Sequence, residues 1–286
     1  MISDITLGQF FPGNSIIHKL DPRTKIILAT LYIVTIFCAN NPVAFSLLAI
    51  VTIILICISR ISAKIILKSI KPIVFILIFT AAINIFMTSG EGTPLFSWWV
   101  INIYTEGIAR AVLMVVRVVV LIIGTSILLT YTTSPISLTD GIEALLSPLK
   151  RIGLPVHTFA MMMSIALRFI PTLIEETEKI MNAQKSRGAD FTSGSLIQRA
   201  KALIPILIPL FVSSFKRAEE LATAMECRCY RGDNNRTKLV KLQYRGQDYL
   251  YISLFVLLMA SIISLAIVPY FFDSVGLIYD VIFYKV

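Results

Sequence analysis

Charge is scarce in this sequence. Asp, Glu, Lys and Arg fill 15% of its 286 positions, whereas soluble domains run at about 25%. Histidine is scarcer still, with His18 and His157 alone. No glycine is followed by lysine, which excludes a P-loop and an ATP site of that kind. There is no His-Glu-x-x-His, and no grouping of Ser, His and acid suggests a hydrolytic triad. Of the four cysteines, Cys38 and Cys57 lie in apolar segments. Cys227 and Cys229 stand one residue apart, which is not the Cys-x-x-Cys spacing of a zinc or redox motif. No second pair completes a tetrahedral site and neither histidine has ligand-like neighbours, so no metal, no cofactor and reduced thiols are expected. The apolar stretches almost lack the carboxylates and histidines that chemistry or ion coupling inside a membrane requires. The two halves show no inverted repeat of the kind found in self-contained transporters.

What the chain has in abundance is apolar surface, at 56% of residues. This composition belongs to an integral membrane protein of all-α class. Lys and Arg total 26 against 17 Asp and Glu, a net charge of +9. In a chain with several apolar spans, that excess marks cytoplasmic segments near anionic lipid and not a nucleic-acid surface. The first apolar run begins only after Lys19, Asp21, Arg23 and Lys25, so no cleavable signal peptide is expected and the first span itself would direct insertion.

Five spans are expected, at about 26–39, 43–58, 72–87, 107–131 and 249–272. Asn40-Asn41-Pro42 makes a turn between the first two. Arg60, Lys64, Lys68 and Lys71 fall near one helical face, with Ile61, Ile65 and Ile66 between them. That is the pattern of a helix lying on the membrane, basic face to the headgroups. Trp98, Trp99 and Tyr104 follow a loop without Lys or Arg and suit an aromatic belt. Arg110 and Arg117 share a face of the fourth span. Arg110 reaches the outer interface, and the deeper Arg117 should face protein or water. Nearly all the positive charge falls in 1–25, 60–71 and 132–245, which places these segments and the N-terminus in the cytoplasm and the C-terminus outside. Three regions result: an N-terminal segment with four spans (1–131), cytoplasmic helices (132–232), and a basic loop with the last span (233–286).

The middle region departs from the membrane pattern. Ser137 or Thr139 is expected to cap a short helix running through Glu143 to Lys150. The apolar, Met-rich stretch 156–169 could form a sixth span, but it has too few residues for an unaided one and reads as a buried helix that runs on into a charged one. Leu173, Ile174, Thr177, Ile180, Met181 and Gln184 repeat at helical spacing, and Gly188 ends that helix. Residues 196–212 are apolar but interrupted by Pro205 and Pro209, which are expected to kink or break the helix. A second stripe, rich in small residues, runs from Phe215 through Ala218, Ala222 and Met225 to Cys229. Each long helix thus ends in a single arginine: Ser186-Arg187-Gly188 and Cys227-Arg228-Cys229. A cation at a helix C-terminus is ordinary, since the dipole favours it. Two at the tips of long cytoplasmic helices also fit docking, because a guanidinium can enter a partner's groove and pair with a carboxylate through two hydrogen bonds.

These triplets resemble the two Ala-Arg-Gly signatures of the transmembrane T component of energy-coupling factor transporters. Pro12-Gly13-Asn14-Ser15 with His18-Lys19-Leu20-Asp21-Pro22-Arg23-Thr24-Lys25 is similar to that family's opening. Thr133-Ser134-Pro135 with Leu149-Lys150-Arg151-Ile152-Gly153-Leu154-Pro155 is similar to its middle. The resemblance covers nearly the whole chain. It implies a transporter of a bacterial cell membrane with two ABC-type ATPase subunits, this non-enzymatic subunit, and a membrane S subunit that binds a vitamin or metal ion. It further implies that Arg187 and Arg228 each sit in a groove of one ATPase, and that 138–151, 155–188 and 196–229 are the coupling helices. The sequence departs from the family pattern at Ser186, which replaces Ala, and at Cys227 and Cys229, which replace Ala and Gly. Without that glycine, the backbone freedom that would end the second helix is missing. A multispanning scaffold or channel with a helical docking domain is the alternative; a channel or an intramembrane enzyme would need Arg117, Asn84 and Asn102 to converge within the spans.

Overall fold

A computed structural model describes residues 10–39, 42–87, 96–98, 101–189, 191, 195–230, 232 and 242–273. The chain is an all-α membrane protein whose described residues form two compact units. One takes residues 10–134 and 242 onward, and the other takes 135–241.

In the first unit, helix α1 (Pro22–Cys38) opens with Asp21 as its N-cap, whose carboxylate accepts the Arg23 N–H at 2.9 Å, and with Pro22 in the first turn. Both devices suit a start where backbone N–H groups would otherwise lack acceptors. Helix α2 (Pro42–Ser59) follows. Helix α3 (Ala63–Ile70) passes through a tight turn at Lys71–Ile73 into α4 (Val74–Met87). A short antiparallel hairpin pairs Phe96 with Ile103 and Trp98 with Ile101, within a stretch whose sequence reads as loop. Helix α5 (Thr105–Thr125) widens into a π-helical segment, Ser126–Tyr131, and helix α9 (Gly246–Asp273) comes from the far end of the chain. Helix α5 touches α1, α2, α3 and α4, and α1 also packs along α9. The Asn40-Asn41 turn, the Trp99 part of the aromatic belt and most of the basic loop at 231–245 lie outside the described residues.

Tyr32 is the centre of this unit. It is fully buried and stands edge-on to Phe255 with ring centroids 6.5 Å apart. Its hydroxyl donates to the Val120 carbonyl at 3.0 Å and meets Thr52 Oγ1 at 2.7 Å, so α1, α2 and α5 are tied by one phenol. A buried hydroxyl needs such partners. Gly124 makes room for the ring: a Cβ there would stand 2.2 Å from Tyr32 Cε1. Gly124→Ala is therefore expected to displace the ring and lower the thermal midpoint in detergent, with a loss of about 1–3 kcal/mol, as overpacking typically costs. Tyr32→Ala combined with Gly124→Ala should cost less than the two single losses added, because the clash goes with the ring, and an unchanged midpoint in the Gly124→Ala variant would overturn the assignment.

Arg117, whose partner the sequence does not reveal, donates to the Ala39 carbonyl at 2.8 Å and lies 5.0 Å from the Phe45 ring centre. It satisfies the C-terminal end of α1, where carbonyls lack intrahelical donors. This makes it a structural residue facing protein, as a charge at that depth requires.

The second unit contains α6 (Pro135–Leu146), a tight turn at Ser147–Ile152 closed by Gly153 in the left-handed region, α7 (Val156–Ser186) and α8 (Leu196–Cys227). Helix α6 starts at Pro135, ahead of both expected caps, and Thr139 Oγ1 instead donates back to the Pro135 carbonyl at 3.0 Å. The Met-rich stretch does run on into the charged helix. It is not buried, however: Phe159 and Met162 are more than half exposed. Ser195 opens α8 with a reciprocal capping box to Gln198. Pro205 and Pro209 do not break α8, nor does Pro171 break α7.

Among the described residues, five helical stretches are long and apolar enough to cross a membrane: Ala63–Met87, Gly107–Tyr131, Val156–Ser186, Ile197–Cys227 and Gly246–Ser264. The number matches expectation but the membership differs. Val43–Ser59 is apolar but shorter, and α1 has only 17 residues. Helices α7 and α8 qualify by length and by their apolar N-terminal halves.

Candidate functional site

The candidate site consists of two helix tips, and the same local geometry builds both. At the end of α7, the Gly188 N–H bonds the Lys185 carbonyl at 2.9 Å and the Ala189 N–H bonds the Gln184 carbonyl at 3.0 Å. At the end of α8, the Cys229 N–H bonds the Glu226 carbonyl at 2.8 Å and the Tyr230 N–H bonds the Met225 carbonyl at 3.1 Å. Each is a Schellman cap, in which one residue past the end turns left-handed so that two terminal carbonyls find donors. Gly188 takes φ +89. Cys229 takes φ +57 in the equivalent place, so the second helix ends as the first does even though its glycine is replaced. A side chain in that region is strained, and a single residue tolerates it where the surrounding hydrogen bonds enforce it.

Arg187 and Arg228 are the C-cap residues, one step before the left-handed turn. Both are exposed, and neither forms an ion pair among the described residues. Ser186 Oγ is taken up by the Asn182 carbonyl at 3.1 Å, while Cys227 and Cys229 are free thiols and exposed. Each tip therefore presents one guanidinium, flanked by small side chains, with no competing partner among the described residues.

The two triplets do not come together. Glu176 on α7 accepts hydrogen bonds from Ser213 Oγ and Arg217 Nη2 on α8, and the Tyr230 hydroxyl donates to Met161 Sδ at 3.3 Å. These contacts make α7 and α8 an antiparallel pair, with the end of α8 beside the beginning of α7 and the end of α7 far beyond. From the level of Met161 to Arg187, helix α7 rises about 39 Å at 1.5 Å per residue. The arginines stand at opposite ends of one antiparallel pair of helices. The Glu143 carboxylate meets His157 Nδ1 at 2.7 Å and fastens α6 to the beginning of α7.

Glu176, Ser213 and Arg217 are absent from the residues that the sequence singles out. Glu176 lies among other charges on α7, and its partners are 37 and 41 positions away, so no local spacing points to them. Among the described residues no group of His, Cys, Asp or Glu is arranged to hold a metal ion.

Residues 13–239 match the family described as CbiQ, cobalt transport protein. The chain is 55% identical over 250 residues to the energy-coupling factor transporter transmembrane protein EcfT of Clostridium kluyveri, covering 87% of this chain and 92% of that protein. It is 55% identical over 263 residues to the protein of the same name from Ruminiclostridium cellulolyticum, covering 92% and 97%. The Bacillus subtilis EcfT is 49% identical over 248 residues, covering 87% and 93%.

Proposed function

The chain belongs to the CbiQ family, as a relative of the energy-coupling factor transporter transmembrane proteins, and we propose that it couples ATP hydrolysis in two partner subunits to transport across a bacterial cell membrane. The reading rests on one observation: two identically capped helix tips, each with an exposed arginine, held at opposite ends of a braced helix pair. One tip would dock in a groove of one ABC-type ATPase and the second tip in the other. A guanidinium reads a carboxylate in such a groove through two parallel hydrogen bonds. The triplets Ser186-Arg187-Gly188 and Cys227-Arg228-Cys229 are thus the proposed ATPase-binding sites.

Closure of the ATPase pair on ATP would then shift the helix pair that carries both tips. The Glu176 clamp and the unbroken passage of α8 through Pro205 and Pro209 let α7 and α8 pass on that motion as rods. A membrane S subunit that binds a vitamin or metal ion would rest on the exposed apolar halves of these helices and reorient as they shift. The chain itself does no chemistry on this reading, and its N-terminus lies in the cytoplasm. A mild-detergent pull-down of the tagged protein from its own membranes tests it. Two ATPases and small apolar subunits, identified by mass, are expected in the eluate. Recovery of the chain alone would return both arginines to ordinary helix ends.

A further inference from the structure

The basic residues preceding α4 play no part in the coupling role, yet the structure fixes their surroundings. Ile66 is buried, and Ile61 and Ile65 pack against the core of the first unit, so one side of α3 is held by the protein. The other side is open: Arg60, Lys64, Lys68 and Lys71 are all exposed, and Leu67 among them is 66% exposed. The helical path then continues through Lys71–Ile73 into α4, and the exposed residues change character at once. Phe75, Ile78 and Phe79 follow, at 79%, 65% and 58% exposure. One exposed row along the helical path therefore begins with three lysines and ends in bare apolar side chains. From Lys68 to Ile78 the rise is about 15 Å, comparable to the length of an acyl chain.

We infer that this row is a binding surface for an anionic phospholipid of the bilayer. Its phosphate headgroup lies among Lys64, Lys68 and Lys71, and its acyl chains run along Phe75, Ile78 and Phe79. An acidic protein partner would match the cations alone. The abrupt switch from cations to large apolar residues matches an amphiphile with an anionic head, and the long lysine stems can lie on its glycerol region while the ammonium groups reach the phosphate. This surface does not depend on the role of the two arginine tips.

Native mass spectrometry of the full chain, released from micelles that contain phosphatidylglycerol or phosphatidylcholine as the probe lipid, tests the assignment. Wild-type protein should retain phosphatidylglycerol preferentially. A variant carrying Lys64→Gln, Lys68→Gln and Lys71→Gln should lose that preference, by about fivefold for each lysine removed. These side chains are exposed, so the variant is expected to fold, and the triple Lys→Arg variant should keep the preference. Phe75→Ala with Ile78→Ala should weaken retention of both lipids alike. Equal retention of the two lipids by wild-type protein would overturn the inference. So would a preference that survives in the Lys→Gln variant, or a Lys→Gln variant that loses a protein subunit while its lipid selectivity stays intact.

Discussion

Replacing both arginines, Arg187→Ala with Arg228→Ala, is expected to abolish recovery of the ATPases with this chain and to bring uptake to background. A guanidinium that leaves water to pair with a carboxylate in a groove makes its partner dependent on it. Removing one side of such a pair costs roughly 3–5 kcal/mol, because a charge is left buried without compensation. At about 1.4 kcal/mol per tenfold, each loss weakens the complex by more than a hundredfold. Each single variant keeps one anchor, so it should retain partial assembly while ATP hydrolysis and transport become uncoupled. The substitutions spare the helices themselves. Both Schellman caps are made by backbone groups of Gly188, Ala189, Cys229 and Tyr230, and both arginine side chains point into solvent. The thermal midpoint of the isolated chain should therefore stay where it is. Arg→Lys at either tip should be tolerated in part, since an ammonium keeps the charge but lacks the planar fork. Intact assembly with wild-type uptake in the double variant would sink the docking role and favour a plain scaffold.

How much of this was legible in the sequence depended on whether the signal was local. The end of α7 was, because Gly188 follows the last periodic residue and only one conformation makes sense of it there. The end of α8 was not: Cys229 reaches φ +57 only because the Tyr230 and Cys229 N–H groups are both engaged behind it, a fact of the folded helix and not of the residue type. The expected break at the prolines did not occur either. Pro205 and Pro209 weaken a helix in isolation, yet α8 continues through both, and prolines within apolar helices are tolerated when the freed carbonyls are re-satisfied. The contacts that matter most lie far apart in sequence. Arg117 answers the Ala39 carbonyl 78 positions away, and Glu176 clamps Arg217 across 41. The opening motif is a case where the residues were legible but their work was not. Lys25, almost fully buried, donates to the Thr132 carbonyl at 2.7 Å and the His18 carbonyl at 3.3 Å, while the Phe11 N–H bonds the Tyr131 carbonyl at 3.0 Å. The opening segment and the residues around Thr133-Ser134 are thus two halves of one clasp, which explains why both stood out as motifs.

The opening segment is also held by Asp248, and Asp248→Ala is expected to destabilise the chain most among the buried substitutions. The carboxylate is 1% exposed. One oxygen accepts the Asp21 N–H at 3.1 Å, at the start of α1, and the other accepts the Arg245 N–H at 2.7 Å, at the start of α9. The Lys25 ammonium lies within electrostatic reach of both Asp21 and Asp248. Arg23 strengthens the same junction by donating to the Leu242 carbonyl at 3.4 Å and lying 5.2 Å from the Tyr244 ring centre. Alanine at 248 leaves two backbone N–H groups without their carboxylate acceptors and removes one of the two negative charges near the buried lysine, so the loss should approach the roughly 3–5 kcal/mol of a broken buried pair. For a chain of this size that corresponds to a fall of about 10 °C in the thermal midpoint. Asp248→Asn keeps one acceptor oxygen and should fall between the two. Adding Lys25→Met to Asp248→Ala should cost less than the two single changes together, because the lysine is no longer left short of its counter-charge. Losses that simply add would place Asp248 and Lys25 in separate interactions. An unshifted midpoint in Asp248→Ala would show that α1 and α9 are held by packing around Tyr32 and Phe255 alone.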